Sequence, residues 1–402
     1  MNSNKNYMQP SANKNRRYDI DWLRNLALLL LIFYHLGMYY VADWDWHIKS
    51  DTQSTLLQNF MVFSNLWRMN LLFFISGITL ALVKHKYSAK QLINTRTKRL
   101  FLPLLFGMLL IVPIQVYYEF KADGMFDDYG EIQNFWDFML AYVNVNTDFA
   151  TDKQSIIGLL TWNHLWYLVY LFAYTFVFLA LRPLLERFIF TKAFQSVRSI
   201  PFFVIFSCYF LIAWVYIRPQ YATTHALVDD WWSHAKYFSI MLMGYCFAHR
   251  KDIWNKVIKH RRILVYIGCT TYSLVALDRN GAFPFMGDAF QSYIVVQFAY
   301  GAVITLNMWC WMLASIGYVG RYLNKPSRRL NYANEAVLPW YILHQSLIIL
   351  FAANIKTFDF TPWLEAVFIA LMTIVSSYLL FEIIRRFNLL RLCFGLPNPN
   401  KS

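Results

Sequence analysis

Long apolar runs, separated by short polar or basic stretches, recur from one end of the chain to the other. Ten of them predict membrane-spanning helices, at about 20–42, 59–83, 100–118, 160–181, 200–217, 235–248, 263–277, 291–319, 335–354 and 363–384. The sixth and seventh are the shortest. The pattern predicts an all-α, polytopic transmembrane bundle of about ten spans over 20–384, flanked by basic tails at 1–19 and 385–402. The connecting stretches alternate in charge. Those on the side of the N-terminus each hold four to six Lys plus Arg, and those on the other side hold one or two. Because cytoplasmic loops carry the excess of Lys and Arg, this alternation puts both termini in the cytoplasm. The first nineteen residues lack a short apolar core ahead of a small-residue cleavage site, so the first span is expected to act as its own uncleaved signal.

Composition agrees. Of 402 residues, 58% are hydrophobic and 15% charged, too apolar for one soluble domain. The net charge of +14 would suit nucleic acid, but its loop-by-loop distribution assigns it to membrane topology instead. The five cysteines stand singly, with no CxxC or zinc spacing, so neither a disulfide nor a metal site is expected. No P-loop, glycine-rich dinucleotide fingerprint or internal repeat is present. The stretch 119–155 is acidic, with Glu119, Asp123, Asp127, Asp128, Glu131, Asp137, Asp148 and Asp152, and tryptophans crowd the same side in WDWH at 44–47 and DDWW at 229–232. An aromatic belt with a solvated loop explains this side. A platform for sugar rings is the alternative.

Against this apolar background, ionisable residues inside spans point to function, because each is costly in hydrocarbon. Arg24 and His35 lie eleven positions apart in the first span, which returns to within about 20° on a helix and separates them by roughly 16 Å along one face. Arg68 enters the second span roughly 12 Å below the outer surface, the same level as His35. Ser76-Gly77, deeper in that span, permits close helix approach. Arg96 and Arg99 stand three apart where the third span is expected to start. Two guanidinium groups beside helix N-terminal N–H groups would suit phosphates, such as those of coenzyme A. His164 and Trp166 open the fourth span, and Tyr341 and His344 share one face of the ninth, near mid-membrane.

These residues carry a resemblance. Asp21, Arg24 and His35 are spaced as in the first helix of the acyltransferase 3 family, and Arg96 and Arg99 match its Arg-x-x-Arg pair. FFISGITL at 73–80, HLWYL at 164–168 and YILHQ at 341–345 resemble further family signatures. The spellings YDIDWLR and RMNLLFFISG are similar to a branch of the family that succinylates periplasmic glucans. The chain departs from the pattern at Asn70, where proline is expected, and at Glu335, where many relatives carry a small residue.

The resemblance implies a multi-pass enzyme of a bacterial inner membrane. It would move an acyl group, succinyl or acetyl, from cytoplasmic acyl-coenzyme A to hydroxyls of a periplasmic glucan or another cell-surface carbohydrate, with no bound cofactor. Arg96 and Arg99 would hold phosphates. Arg24 would hold the pantetheine end or the thioester carbonyl, oriented by Asp21. His35 would act as general base or carry the acyl group transiently. Arg68, Ser76, His164, Trp166, Tyr341 and His344 would form the acyl and acceptor pocket, with Arg68 facing a succinyl carboxylate. A carbohydrate transporter or flippase is the competing class. It would be expected to show an inverted repeat, which the sequence lacks.

Overall fold

A computed structural model describes residues 16–397, apart from 84–85, 130–131 and 156. The outer parts of both tails, 1–15 and 398–402, lie outside the described residues, as do Glu131 and the side chain of Asp128. Among the described residues the chain is helical, with no strand beyond two isolated bridges, Val41–Ser54 and Ser155–Gly158. The long helices are α1 (Tyr18–Met38), α2 (Thr55–Val83), α3 (Ala89–Ala122), α4 (Asn163–Ile189), α5 (Ser199–Tyr216), α6 (231–248), α7 (Lys251–Arg279), α8 (Ile294–Tyr322), α9 (Arg328–Ile355) and α10 (Pro362–Ile384). All but α6 and α7 are long and apolar enough, by length and composition, to cross a membrane. α7 begins at Lys251 rather than near 263, so its first turns are the basic run KDIWNKVIKHRR.

α2 is the centre of the bundle. Every residue from Arg68 to Ile78 is buried, as expected of a helix apolar on all sides. α6 crosses it with the backbones in contact. A Cβ on Gly77 would stand 1.8 Å from the Met241 carbonyl oxygen, and one on Gly244 2.1 Å from that of Phe74. Only glycine permits this approach. α2 is interrupted at Leu66–Trp67, immediately before Arg68. There Asn70, standing where proline was expected, donates its side-chain amide to the Leu66 carbonyl at 2.9 Å and satisfies an acceptor left free by the break.

The stretch 84–99, read from its charge as a loop, is helical from Ala89. Ser88 caps it: its hydroxyl accepts from the Gln91 N–H, and the Gln91 side chain accepts from the Ser88 N–H. Arg96 and Arg99 therefore lie about two turns inside α3. The expected contribution of helix N-terminal N–H groups to a phosphate site is corrected, since those groups sit at Ala89. α3 also widens into a π turn over Thr97–Phe101, just after Arg96, and α6 does the same over His234–Phe238.

Two segments taken as peripheral are built into the fold. The acidic stretch 119–155 forms helices Met125–Tyr129 and Phe135–Val143 around Phe120, Phe126, Phe138 and Phe149, whose rings meet edge-on or stacked at 5.6–6.1 Å. After α10 the chain turns back through Asn388–Cys393, and buried Arg391 donates to Glu335 at 3.1 Å and to the Arg385 and Pro397 carbonyls. Glu335, the second departure from the family pattern, thus fastens the C-terminal segment to α9.

Candidate active site

α1, α4 and α9 bring three histidines together. His35 Nδ1 lies 2.7 Å from His344 Nε2, with the rings stacked at 5.0 Å and 14°. His164 meets His344 edge-on at 5.3 Å. The surrounding acceptors settle the tautomers. His344 Nδ1 faces the Tyr341 and Trp340 carbonyls at 2.8 and 3.2 Å, so it carries the proton and donates. Its Nε2 is then an acceptor, and His35 donates Nδ1–H to it. His35 is left with its Nε2 lone pair, the atom a base or nucleophile needs. His164 is fixed in the same way. Its Nε2–H donates to the Ile342 and Tyr341 carbonyls at 3.1 and 3.2 Å, and its Nδ1 accepts from Gln115 at 3.0 Å.

His35 lines a cavity of about 150 Å³ with Arg68, His164, Trp166 and Tyr341, and also with Tyr34, Asn65, His225 and Tyr237. Arg68 is 3% exposed. Its guanidinium carbon lies 3.4 Å from the centroid of the Tyr34 ring, and Nε and Nη1 have no hydrogen-bond partner. Among the described residues it forms no ion pair. A buried cation that lines a cavity and has no acidic partner is a candidate site for an anion. His225 closes the cavity from the 217–230 loop, its ring stacked on Trp166 at 4.0 Å. Burial pushes the His225 imidazole down to about 4, so it is neutral near pH 7.

Two predicted pocket residues lie elsewhere. His344 stands behind His35 and does not line the cavity. Ser76 lies deeper, bonded to Tyr167 Oη at 2.7 Å and to the Leu72 carbonyl at 2.9 Å. With Thr79, Ser76 and Tyr167 belong to a polar column running from the cavity toward the face where α1 begins. Arg24 reaches that column, 3.3 Å from Thr79 Oγ1. Arg96 is within electrostatic reach of Arg24, Arg99 and Tyr167. Neither Arg96 nor Arg99 has an acidic partner among the described residues. Asp21 is shared between two arginines. It takes two hydrogen bonds from Arg16, at 2.8 and 3.0 Å, and stands 3.9 Å from Arg24.

Sequence reasoning missed the uncharged partners. Gln115 donates to Ser346 at 2.7 Å as well as to His164, and Gln345 links Gln115 to His47 at 3.1 and 3.0 Å. His47 in turn pairs with Glu119. A glutamine inside each of two apolar runs was the available signal. Tyr34, Tyr237 and His225 gave none, because aromatic residues at membrane edges are commonplace.

The bundle thus holds, at one cavity, a histidine whose Nδ1 is bonded to a second histidine and a buried arginine with no acidic partner among the described residues. The model of the acyltransferase domain matches residues 17–382, and the chain belongs to the acyltransferase 3 family. It is an acyltransferase and a multi-pass membrane protein. It is similar to glucans biosynthesis protein C of Escherichia coli strain SMS-3-5 / SECEC, of E. coli O157:H7 and of E. coli strain K12 / DH10B, each 25% identical over 399 residues that cover 94% of both chains. No solved structure matches the chain.

Proposed function

We propose that the chain transfers a succinyl group from succinyl-coenzyme A, bound at the cytoplasmic face where α1 begins, to hydroxyls of a periplasmic glucan, in a bacterial inner membrane. The observation that carries the succinyl assignment is Arg68, a buried guanidinium without an acidic partner among the described residues, which lines the same cavity as His35. A succinyl group brings a second carboxylate to that place, and an acetyl group does not. The glucan is taken from the printed name of the relatives.

The donor's phosphates lie against Arg96 and Arg99, and Arg24 receives the start of the pantetheine arm. The arm follows Thr79, Ser76 and Tyr167 to the cavity. His35 Nε2 takes the proton of an acceptor hydroxyl as its oxygen attacks the thioester carbonyl. The C–S bond then breaks, and the leaving thiolate takes the proton back from Nε2. Throughout, the Nδ1–H bond to His344 holds the ring and spreads the charge of the transient imidazolium. The products are the succinyl ester and free coenzyme A, and the histidine returns to its starting state.

Arg68→Gln tests the assignment. With both donors saturating in the same membranes, the variant is expected to lose succinyl transfer by at least about tenfold, the worth of one charge-assisted bond, with acetyl transfer nearly unchanged. A parallel fall of both activities would remove Arg68 from donor selection.

A further inference from the structure

A second, larger cavity opens on the face opposite the start of α1. It measures about 520 Å³ and is lined by Asp45, Trp46, His47, Glu119, Asp123 and Lys153. We infer that it binds an uncharged oligosaccharide segment and excludes acidic ones, so that it sets the class of acceptor. This rests on the acyl-transfer reading above, in which a carbohydrate must bring a hydroxyl to His35.

Its size is that of a ligand pocket rather than a packing gap. Its chemistry is of three kinds. Trp46 is part-buried, with ring surface available to the C–H face of a sugar ring. Carboxylate oxygens accept from sugar hydroxyls in charge-assisted bonds. Much of that capacity is free: Asp45 has no ion pair among the described residues, and Asp123 has only Lys153 at 3.8 Å. Lys153 supplies donors for ring and hydroxyl oxygens. The charge balance decides between neutral and acidic saccharides. Three carboxylates face one ammonium and one imidazole, so a further anion is repelled. The cavity beside His35 has the opposite sign, with Arg68 unpaired, which suits the donor's carboxylate. The two cavities thus sort the two substrates by charge.

The position fits the role. His47 accepts from Gln345 at 3.0 Å, and Gln345 is the neighbour in sequence of His344, which holds His35. Trp44 packs on Tyr34 of the inner cavity at 6.2 Å. The loop between them is held in shape by Lys49, whose ammonium donates to the Met38, Val41 and Trp44 carbonyls. A sugar resting on Trp46 would therefore lie over a floor that is hydrogen-bonded, through Gln345 and Gln115, to His164 beside the reacting histidine pair.

Equilibrium binding of labelled cellohexaose and of a matched oligoglucuronate to the purified full-length protein, without any acyl donor, tests this. Cellohexaose is expected to bind saturably and the glucuronate at least about tenfold more weakly. Trp46→Ala should weaken cellohexaose binding by a similar factor, with Trp46→Phe recovering most of it. The pair Glu119→Gln and Asp123→Asn should bring the glucuronate close to the neutral ligand. Equal binding of both saccharides by the unaltered protein, or unchanged binding in Trp46→Ala, would overturn the inference. Release of coenzyme A from succinyl-coenzyme A with an excess of a small alcohol as acceptor is measured alongside. Transfer to the alcohol with no oligosaccharide site refutes this cavity alone, whereas an intact thioester refutes acyl transfer.

Discussion

At the scale of single residues, the chemistry depends on one lone pair and on the group that aims it. His35→Ala should abolish transfer, a loss on the order of 10²–10⁴-fold for a missing general base. Donor binding should be retained, because Arg24 lies roughly 16 Å away along α1, and Arg96 on α3 stands within electrostatic reach of Arg24 and Arg99. His344 is a positioning residue, acting through His35 Nδ1. His344→Ala should lower kcat at least about tenfold with little change in donor KM. His344→Gln should recover part of the loss, since its amide oxygen can accept the same N–H. A merely structural role would give no such rescue, so steady-state kinetics on the two variants decides it. Arg24, His35 and Arg68 were legible in the sequence because an ionisable side chain in an apolar run costs about 2.5–3.5 kcal/mol when placed centrally, and that demands a reason. Gln115 and Gln345 were not, because an uncharged amide costs less and is often satisfied by one neighbouring helix. The tautomer of His35 was beyond any sequence reading. It is set by the Tyr341 and Trp340 carbonyls on another helix.

At the scale of elements, α2 and α3 carry what the sequence concealed. Apolar periodicity places both spans, but the density of charge in 84–99 hid a helix whose cap, Ser88 with Gln91, is written in the chain. The π turns at Thr97–Phe101 and His234–Phe238 have no sequence signature. Each adds a residue to a turn close to a site side chain, Arg99 in one and Tyr237 in the other. Since the N-terminal N–H groups of α3 sit at Ala89, the proposed phosphate site rests on the guanidinium groups of Arg96 and Arg99. Replacing both with Ala should therefore raise the dissociation constant for succinyl-coenzyme A by at least about tenfold, with charge-assisted bonds worth about 1.5–3 kcal/mol each. Lysine should restore only part, lacking the bidentate fork. Direct titration of donor against the double variants measures this, and an unchanged constant would return the pair to a topological role. The crossing of α2 and α6 makes a separate prediction. Gly77→Ala forces a Cβ into the Met241 carbonyl and should cost roughly 1–3 kcal/mol, seen as a lowered unfolding midpoint in detergent.

At the scale of the whole molecule, the proposed reaction is vectorial: the donor is held where α1 begins, and the acceptor waits over the opposite cavity. The family and the helical bundle were legible because spans, basic loops and five short motifs agree along the chain. The inward-folded C-terminal segment was not, because Arg385, Arg386 and Arg391 read as ordinary cytoplasmic charge until Glu335 is seen beneath Arg391. The most direct measurement uses sealed vesicles containing the purified protein in one orientation. Labelled succinyl-coenzyme A is supplied only to the face bearing the N-terminus, and a neutral glucan only to the other. Succinyl ester should accumulate on the glucan across the membrane in step with free coenzyme A, and vesicles with His35→Ala should form none. Glucan or donor crossing the membrane with its thioester intact, or ester formation at the full rate in His35→Ala, would contradict acyl transfer at this histidine.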